Sequence, residues 1–208
     1  MTLSDLEGRL NFRTAARPGG RTPLPGRVLM TDETRLADPL PAFRSLPAGS
    51  AVIVRHYGDP ARADLAARLV KESRGRGLRV LIAGDARLAL KIGAHGLHLP
   101  EDMVRHGDGA WRNWRRLNWL VTAAAHSPQA LFRAWRAGAD AALLSPVFST
   151  PSHPGTVPLG PVRFSRWCRM SPLPVYALGG ITPETAQRLK NSVAVGIAGI
   201  GGFVDGFP

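Results

Sequence analysis

The segment Val175–Glu184, with the sequence VYALGGITPE, decides the fold. It begins with a short apolar run and continues into two adjacent glycines, Gly179 and Gly180. Thr182 and Pro183 follow, and both residue types start helices, because threonine caps the first free N–H groups and proline fits the first helical turn. The segment therefore predicts a strand, a glycine turn and a helix in direct succession, which is one unit of a parallel α/β fold.

The same unit recurs along the chain. Eight short apolar runs are typical of buried strands, namely Val28–Thr31, Ala51–Arg55, Arg79–Ala83, Gly96–Leu99, Trp119–Ala123, Ala141–Ser145, Val175–Leu178 and Val193–Ala198. Segments of helical period lie between most of them, the clearest being Asp59–Arg74, Ser127–Ala137 and Pro183–Leu189. Strands that alternate with helices predict a parallel sheet, and eight of them predict a closed (β/α)8 TIM barrel of the α/β class. The alternative, an open flavodoxin-like sheet, needs fewer strands.

The two ends of the chain depart from this rhythm. Residues 1–26 are interpreted as an N-terminal extension, with a short helix over Ser4–Ala16 followed by several prolines and glycines. The barrel takes residues 27–208 and is short, because only residues 199–208 follow the last predicted strand. The usual last helix is therefore expected to be truncated. Either the N-terminal helix or a second copy of the chain would cover this gap, and the second choice predicts a homodimer.

The charge and cysteine content narrow the class of protein. The chain has 27 Lys and Arg against 15 Asp and Glu, which gives a net charge of +12. These basic residues are spread along the whole chain, which argues against nucleic acid as the partner and suits small anionic substrates. The densest cluster, residues 112–116, is either a basic patch or one amphipathic helix. The single cysteine, Cys168, excludes an internal disulfide framework and a cysteine-rich zinc site.

The hydropathy pattern predicts a cytoplasmic protein without a membrane partner. No apolar run approaches the roughly 18 residues that a spanning helix needs. Arg9, Arg13 and Arg17 interrupt any apolar core of a signal peptide.

Glycines at two strand ends predict a binding site for a small phosphorylated ligand. In such a barrel the active site lies at the carboxyl ends of the strands, and the loops after strands seven and eight commonly hold phosphate. Gly179 and Gly180 follow strand seven, while Ile200 and Gly201 follow strand eight. Glycines let backbone N–H groups approach an anion, although two plain tight turns are the simpler interpretation. The loop of residues 146–158 is long enough to act as a lid.

Three further side chains at strand ends are candidates for chemistry. Asp85 and Asp102 follow strands three and four, where one or two carboxylates together with substrate phosphates would hold Mg²⁺. Both aspartates would equally serve as helix caps. His126 follows strand five directly before a helix, and a neutral imidazole there would move protons near neutral pH. A structural histidine is the alternative.

Several segments together resemble the thiamine-phosphate synthase/TenI family, and they occur in the family's order. Val28–Asp32 is similar to its L-V-T-D strand and Gly93–Leu99 to its G-A-D-G-V-H-L motif. Ser145–Thr150 resembles G-P-V-F-x-T, and Pro158–Gly160 matches the P-x-G that follows it. Pro174–Ile181 resembles P-V-x-A-I-G-G-I. The match extends over about residues 27–203 and implies a (β/α)8 barrel.

The resemblance implies an enzyme of thiamine biosynthesis. The synthase joins an aminopyrimidine methyl diphosphate to a thiazole phosphate, releases pyrophosphate and uses Mg²⁺. By position, the resemblance implies Asp85 and Asp102 as the Mg²⁺ ligands and Arg55 as the catalytic arginine after strand two. It implies Gly180 and Gly201 as parts of the loops that hold the product phosphate.

The chain also departs from the family at several positions. Tyr57 stands where the family has its diphosphate lysine, and Gly84 where it has an asparagine. His153 replaces the lysine of the T-x-T-K loop, in which Thr150 and His153 are predicted to contact the substrate. TenI-type members catalyse a thiazole tautomerisation instead, with the histidine that matches His126 and without a diphosphate clamp. The alternatives to the synthase are therefore a TenI-like tautomerase or a phosphate-binding barrel without synthase activity.

Overall fold

The computed structural model describes residues 23–107, 109–152 and 155–200. Eight parallel strands form a closed barrel in which each strand pairs with the next and the last pairs with the first. The strands are β1 (Arg27–Met30), β2 (Ala51–Val54), β3 (Arg79–Ala83), β4 (Gly96–Leu99), β5 (Leu120–Ala125), β6 (Ala141–Leu144), β7 (Val175–Leu178) and β8 (Gly196–Gly199). The predicted (β/α)8 barrel is thereby confirmed.

Helices cover the outside of the barrel between consecutive strands. They are α1 (Leu40–Arg44), α2 (Arg62–Ser73), α3 (Ala86–Lys91), α4 (Glu101–His106), α5 (Pro128–Ala137), α6 (Gly160–Met170) and α7 (Pro183–Gln187). The helix start predicted at Thr182 is present, since its hydroxyl accepts the Thr185 N–H and the Thr185 hydroxyl accepts the Thr182 N–H. This reciprocal capping fixes the direction in which α7 leaves the glycine turn.

The arginine-rich cluster of residues 112–116 does not form an amphipathic α-helix, and Arg112 and Arg116 are exposed. A short 3-10 helix, Ala110–Trp114, precedes β5. Arg112 and Arg115 donate hydrogen bonds to the carbonyls of Ala137 and Gly138 at 2.9 and 2.8 Å. These two cations therefore satisfy the free carbonyls at the end of α5.

Alternate residues of each strand face opposite sides of the barrel. Leu29 and Val52 pack with the helices in the large outer core. Val28, Ala51 and Ile53 belong to a separate inner cluster of thirteen buried residues in the described ranges. Side chains of mixed size fill this cluster, as expected because the interior of an eight-stranded barrel is just wide enough for side chains to fill it.

The amino-terminal end of the barrel is closed around Tyr176. Its hydroxyl donates a hydrogen bond to the carbonyl of Pro25 at 2.7 Å. A Cβ on Gly196 would lie 2.3 Å from the carbonyl oxygen of Gly26 and 2.7 Å from the Tyr176 ring, so only glycine fits there. The carboxyl ends of the strands are the opposite end, where the candidate site lies.

The last strand begins later than predicted. β8 starts at Gly196 and not at Val193; of the three residues before it, Ala194 and Val195 are buried and Val193 is partly buried. The helix predicted over Ser4–Ala16 and the predicted truncation of the last helix both fall outside the described residues, so the domain limits stay predictions. None of the helices in the described ranges has the length and apolar character needed to cross a membrane.

Candidate active site at the carboxyl ends of the strands

The Gly179–Gly180 turn follows β7 and lies against the loop after β6. Both glycines have positive φ, 94° and 65°. A Cβ on Gly180 would lie 2.4 Å from the carbonyl oxygen of Ser149, so the two loops can meet only with glycine here. The backbone N–H of Phe148 donates to the Gly179 carbonyl at 3.0 Å. Within the described residues the backbone N–H groups of Gly180 and Ile181 donate to no protein acceptor, so both can meet a ligand oxygen.

The turn after β8 lies beside the turn after β7. Leu178 is in register with Ala198 in the parallel pair, so the two strands end side by side. Ile200, one of the predicted phosphate-binding residues, follows β8 and is partly buried. Gly201 lies outside the described residues. The adjacency that the phosphate prediction requires is therefore present, while phosphate binding itself stays a prediction.

The loop after β6 brings Thr150 to the same end of the barrel. Its hydroxyl lies 3.3 Å from the hydroxyl of Ser152. Arg35, from the loop after β1, donates a hydrogen bond to that same Ser152 oxygen. His153, the other predicted contact of this loop, lies outside the described residues.

Arg55, the predicted catalytic arginine, follows β2 and is tied to the end of β1. Its Nη1 lies 3.8 Å from Oδ2 of Asp32, and its backbone N–H donates to the Thr31 hydroxyl at 3.0 Å. Arg35 binds the same Asp32 oxygen at 2.7 Å. Burial by itself raises the pKa of the Asp32 carboxyl, but hydrogen bonds from Arg35 and Thr34 outweigh it and hold that pKa well below its usual range. Arg55 therefore faces a fixed negative charge.

Tyr57 occupies the rim between β2 and β3. Arg62, on α2, lies over its ring with the guanidinium carbon 5.2 Å from the ring centroid, and donates to the carbonyl of Ala83. A Cβ on Gly84 would lie 3.7 Å from both the Tyr57 ring and the Pro100 ring. Burial raises the pKa of the Tyr57 hydroxyl, which nearby arginine charges offset only in part. A neutral phenol thus stands where the family resemblance places an ammonium group.

A buried polar pair lies inside the barrel between β4 and β5. Leu97 and Leu99 pack on the helix side, which places His98 on the inner side. Its Nδ1 lies 2.9 Å from the hydroxyl of Thr122, and both side chains are almost fully buried. Burial, together with the charge of Arg55, lowers the pKa of His98 to about 3. This imidazole is therefore neutral at physiological pH and offers hydrogen bonds without charge.

His126 follows β5 and is held by α4 and α5. Its Nδ1 lies 2.5 Å from Oε2 of Glu101, whose other oxygen accepts a hydrogen bond from Arg133 at 3.1 Å. A carboxylate only accepts, so Nδ1 is the donor, and in the neutral ring Nε2 is the basic nitrogen. The His126 side chain is 41% exposed and the Glu101 side chain 19%. The pair therefore holds an imidazole in a fixed orientation at the surface of the mouth, which is the opening of the barrel at the carboxyl ends of its strands.

The two predicted metal ligands serve different partners. Oδ1 of Asp85 accepts the Leu88 N–H at 2.8 Å and so caps α3. Asp102 lies on α4 with its side chain 84% exposed and contacts His106 at 2.8 Å. In the described ranges no group of three His, Cys, Asp or Glu side chains suits a metal ion. Asp85 thus caps a helix through one oxygen and Asp102 faces solvent, so a Mg²⁺ site shared by the two aspartates and substrate phosphates stays a prediction.

Most of the predicted site residues share one end of the barrel. They are Arg55, Asp85, His126, Thr150, Gly179, Gly180 and Ile200. Sequence reasoning did not assign roles to Asp32, Glu101 and His98. Each lies in the last two residues of a strand or just beyond one, and that position is the signal that would have found them.

The fold and these side chains define a (β/α)8 barrel with charged and polar groups gathered at the carboxyl ends of its strands. The family model described as Thiamine monophosphate synthase matches residues 40–203. The chain belongs to this family, as its sequence motifs predict.

Named relatives and a solved structure agree with this membership. A thiamine-phosphate synthase of Chlorobium luteolum is 32% identical over 82% of this chain and 81% of its own length. A relative from Aquifex aeolicus, named "Putative thiamine-phosphate synthase 2", is 38% identical over 57% of this chain. That match spans only 62% of the relative's own length. The structure of a thiamine phosphate pyrophosphorylase from Pyrococcus furiosus superimposes with a TM-score of 0.70 over 85% of both chains at 20% identity, which shows the shared fold.

Proposed function

We propose that the protein is a thiamine-phosphate synthase that joins hydroxymethylpyrimidine diphosphate to a thiazole phosphate and releases pyrophosphate. Family membership supports this reaction, since the relatives carry that name. The observation that carries the proposal is the pairing of two anion-binding features at one mouth. The unbonded N–H groups at Gly180 and Ile181 suit a phosphate, and Arg55 and Arg62 lie near the ends of β2 and β3.

The reaction places its main demand on cationic side chains. The bond between the pyrimidine methylene carbon and the diphosphate oxygen breaks, and its electron pair leaves with pyrophosphate. The lone pair of the thiazole nitrogen then forms the new C–N bond. The reaction is therefore balanced without any transfer of a proton or an oxidation step. Arg55 would neutralise the departing charge, and Arg62 would extend that positive surface toward β3.

The neutral state of His98 suits the cation that forms when pyrophosphate leaves. An imidazolium inside the barrel would repel a positively charged pyrimidine. Because the pKa of His98 is lowered to about 3, the ring instead offers hydrogen bonds to the heterocycle without that repulsion. Thr122 fixes the ring through Nδ1.

The family generally depends on Mg²⁺, and the same dependence is an expectation for this chain. Asp85 is the predicted ligand at the end of β3, whereas Asp102 is turned to solvent. Titration of the protein with Mg²⁺ alone should show no binding at millimolar concentration, because one capping carboxylate is too few ligands without substrate phosphates.

The synthase proposal is tested by release of pyrophosphate from the two substrates with Mg²⁺ present. Arg55→Gln should lower kcat/KM about 10-fold to 100-fold, since one charge-assisted contact is lost. Arg68→Gln, an exposed arginine on the outside of α2, is the matched control and should leave the rate unchanged. Absence of turnover in the unaltered protein, with folding verified, would overturn the proposal.

A second candidate function is favoured by the Glu101–His126 pair. Nε2 of His126 would take a proton from one carbon of a thiazole phosphate and return it to another, which is a tautomerisation. Glu101 holds the ring in the tautomer that this step needs. His126→Asn should abolish the exchange of the substrate's ring proton with D₂O and leave pyrophosphate release nearly unchanged. The reverse pattern would exclude the tautomerase.

A further inference from the structure

Asp32 is the meeting point of two arginines. Its Oδ2 lies 2.7 Å from Nη2 of Arg35 and 3.8 Å from Nη1 of Arg55. Its Oδ1 accepts the backbone N–H groups of Thr34 and Arg35 and the Thr34 hydroxyl, at 3.2, 3.1 and 2.8 Å. Oδ2 therefore binds the two arginines, while Oδ1 fixes the turn after β1. The side chain is 14% exposed and has little freedom to move.

Arg35 carries this connection to a distant part of the mouth. Its Nη1 donates to the hydroxyl of Ser152, in the loop after β6. β1 pairs with β2 and β8, so β6 is not its neighbour and the contact spans the rim. The Ser152 oxygen lies 3.3 Å from the hydroxyl of Thr150, a predicted substrate contact. A continuous path of polar contacts thus runs from Arg55 through Asp32 and Arg35 to Thr150.

We propose that Asp32 is a positioning residue that couples the loop after β6 to Arg55. When the Asp32–Arg35–Ser152 contacts are made, Thr150 and Arg55 are held in place together, and the mouth binds a phosphorylated substrate as one unit. The part of this inference that concerns substrate rests on the proposed function, whereas the coupling of the two loops does not.

The competing explanation is that Asp32 only stabilises its own turn. Asp32→Asn separates the two roles, because asparagine keeps the oxygen that accepts the turn's N–H groups and removes the charge that binds both arginines. A local role predicts that the effect of this substitution ends at residues 31–36. A coupling role predicts an effect at residues 149–152, which lie far away in the sequence.

Hydrogen–deuterium exchange tests the coupling without any ligand. Asp32→Asn and Arg35→Gln should each raise the exchange rate of a peptide spanning residues 147–152 about fivefold, the effect of losing one partly exposed ion pair. Arg44→Gln and Glu72→Gln break an ion pair of 2.8 Å on the outside of the barrel and are the matched controls. Unchanged exchange in residues 147–152 for both site variants would overturn the coupling.

Steady-state kinetics test the effect on substrate. Asp32→Asn should raise KM for thiazole phosphate about fivefold, and kcat should fall by a smaller factor. Arg35→Gln should also raise this KM, and Arg35→Lys should raise it less because lysine keeps the positive charge. Equal KM values in all variants would overturn the substrate part. If Asp32→Asn does not fold, Arg35→Gln and Ser152→Ala carry both tests, since their side chains are largely at the surface. A protein that lacks turnover but shows the exchange effect contradicts the proposed function alone.

Discussion

Nδ1 of His126 donates to Oε2 of Glu101 across 2.5 Å, and Arg133 holds the same carboxylate from the other side at 3.1 Å. Three elements therefore orient one imidazole: the end of β5, the start of α4 and the side of α5. A carboxylate that binds Nδ1 selects the tautomer whose Nε2 is basic, which is the arrangement that proton transfer needs.

Glu101→Gln should loosen this selection. The amide keeps the shape of the side chain but not its charge, so both tautomers of His126 become populated. The ¹⁵N chemical shifts of the ring report the proton's position directly, and any tautomerase kcat should fall about 10-fold. Glu72→Gln, on the barrel's outer surface, is the control. An unchanged ¹⁵N pattern in Glu101→Gln would contradict this role.

Gly180→Ala should separate the loops after β6 and β7. The residue has φ of 65°, and its Cβ would lie 2.4 Å from the Ser149 carbonyl oxygen and 2.7 Å from the Phe148 Cβ. Strain and clash together should cost about 2–4 kcal/mol in the free energy of unfolding. Gly49→Ala has a φ of 83° with open space around the Cβ, so it measures the strain alone. Urea denaturation of both variants gives the difference, and equal losses would show that the close contact is unimportant.

His98 should make the protein less stable as the pH falls. The folded protein holds this pKa at about 3, whereas the unfolded chain binds the proton near pH 6.5. Stability from the neutral ring is therefore complete above about pH 6.5 and decreases as the pH falls toward 3, by about 2 kcal/mol at pH 5. His98→Asn keeps a hydrogen-bonding group and should show a smaller decrease between pH 7 and pH 5 in urea denaturation. Parallel curves for the two proteins would mean that His98 is not the cause.

Asp85→Ala should destabilise the protein, and Asp85→Asn should not. Asparagine still accepts the Leu88 N–H that Asp85 accepts at 2.8 Å, but alanine leaves that donor free. The expected loss is about 1 kcal/mol, or roughly 2–4 °C in Tm for a chain of this size. Asp102→Ala, at an 84% exposed side chain, should change Tm by less than about 1 °C. Thermal unfolding compares all three, and equal Tm values for the two Asp85 variants would remove the capping role.

The sequence predicts the barrel well because its strands are buried on both faces. Arg79–Ala83, Gly96–Leu99 and Val175–Leu178 are mainly apolar runs with the same limits in the structure. The other strands differ from their predicted limits by one or two residues, except β8, which starts three residues later than predicted, after the buried Ala194 and Val195. Burial sets composition, and composition alone does not say which buried residues join the sheet.

The sequence predicts at which end of the barrel the candidate side chains lie, but not which of them contact one another. Strand ends locate Arg55 and His126, whereas the partner of His126 depends on the orientation of α4. Glu101 and Asp102 are adjacent, and successive helical residues point about 100° apart, so one reaches His126 and the other faces solvent. Contacts between distant loops, such as Arg35 with Ser152, leave no periodic trace in a sequence.

The tyrosine at the rim bears on inhibitor selectivity within the family. Tyr57 and Pro100 both lie close to Gly84, and Arg62 lies over the Tyr57 ring, so this corner offers an aromatic ring with a guanidinium above it. The family resemblance implies an amine at this position in other members, and a compound built around a bisphosphonate would favour that amine. A flat heteroaromatic group should instead discriminate in favour of this chain, because it can stack on the phenol ring.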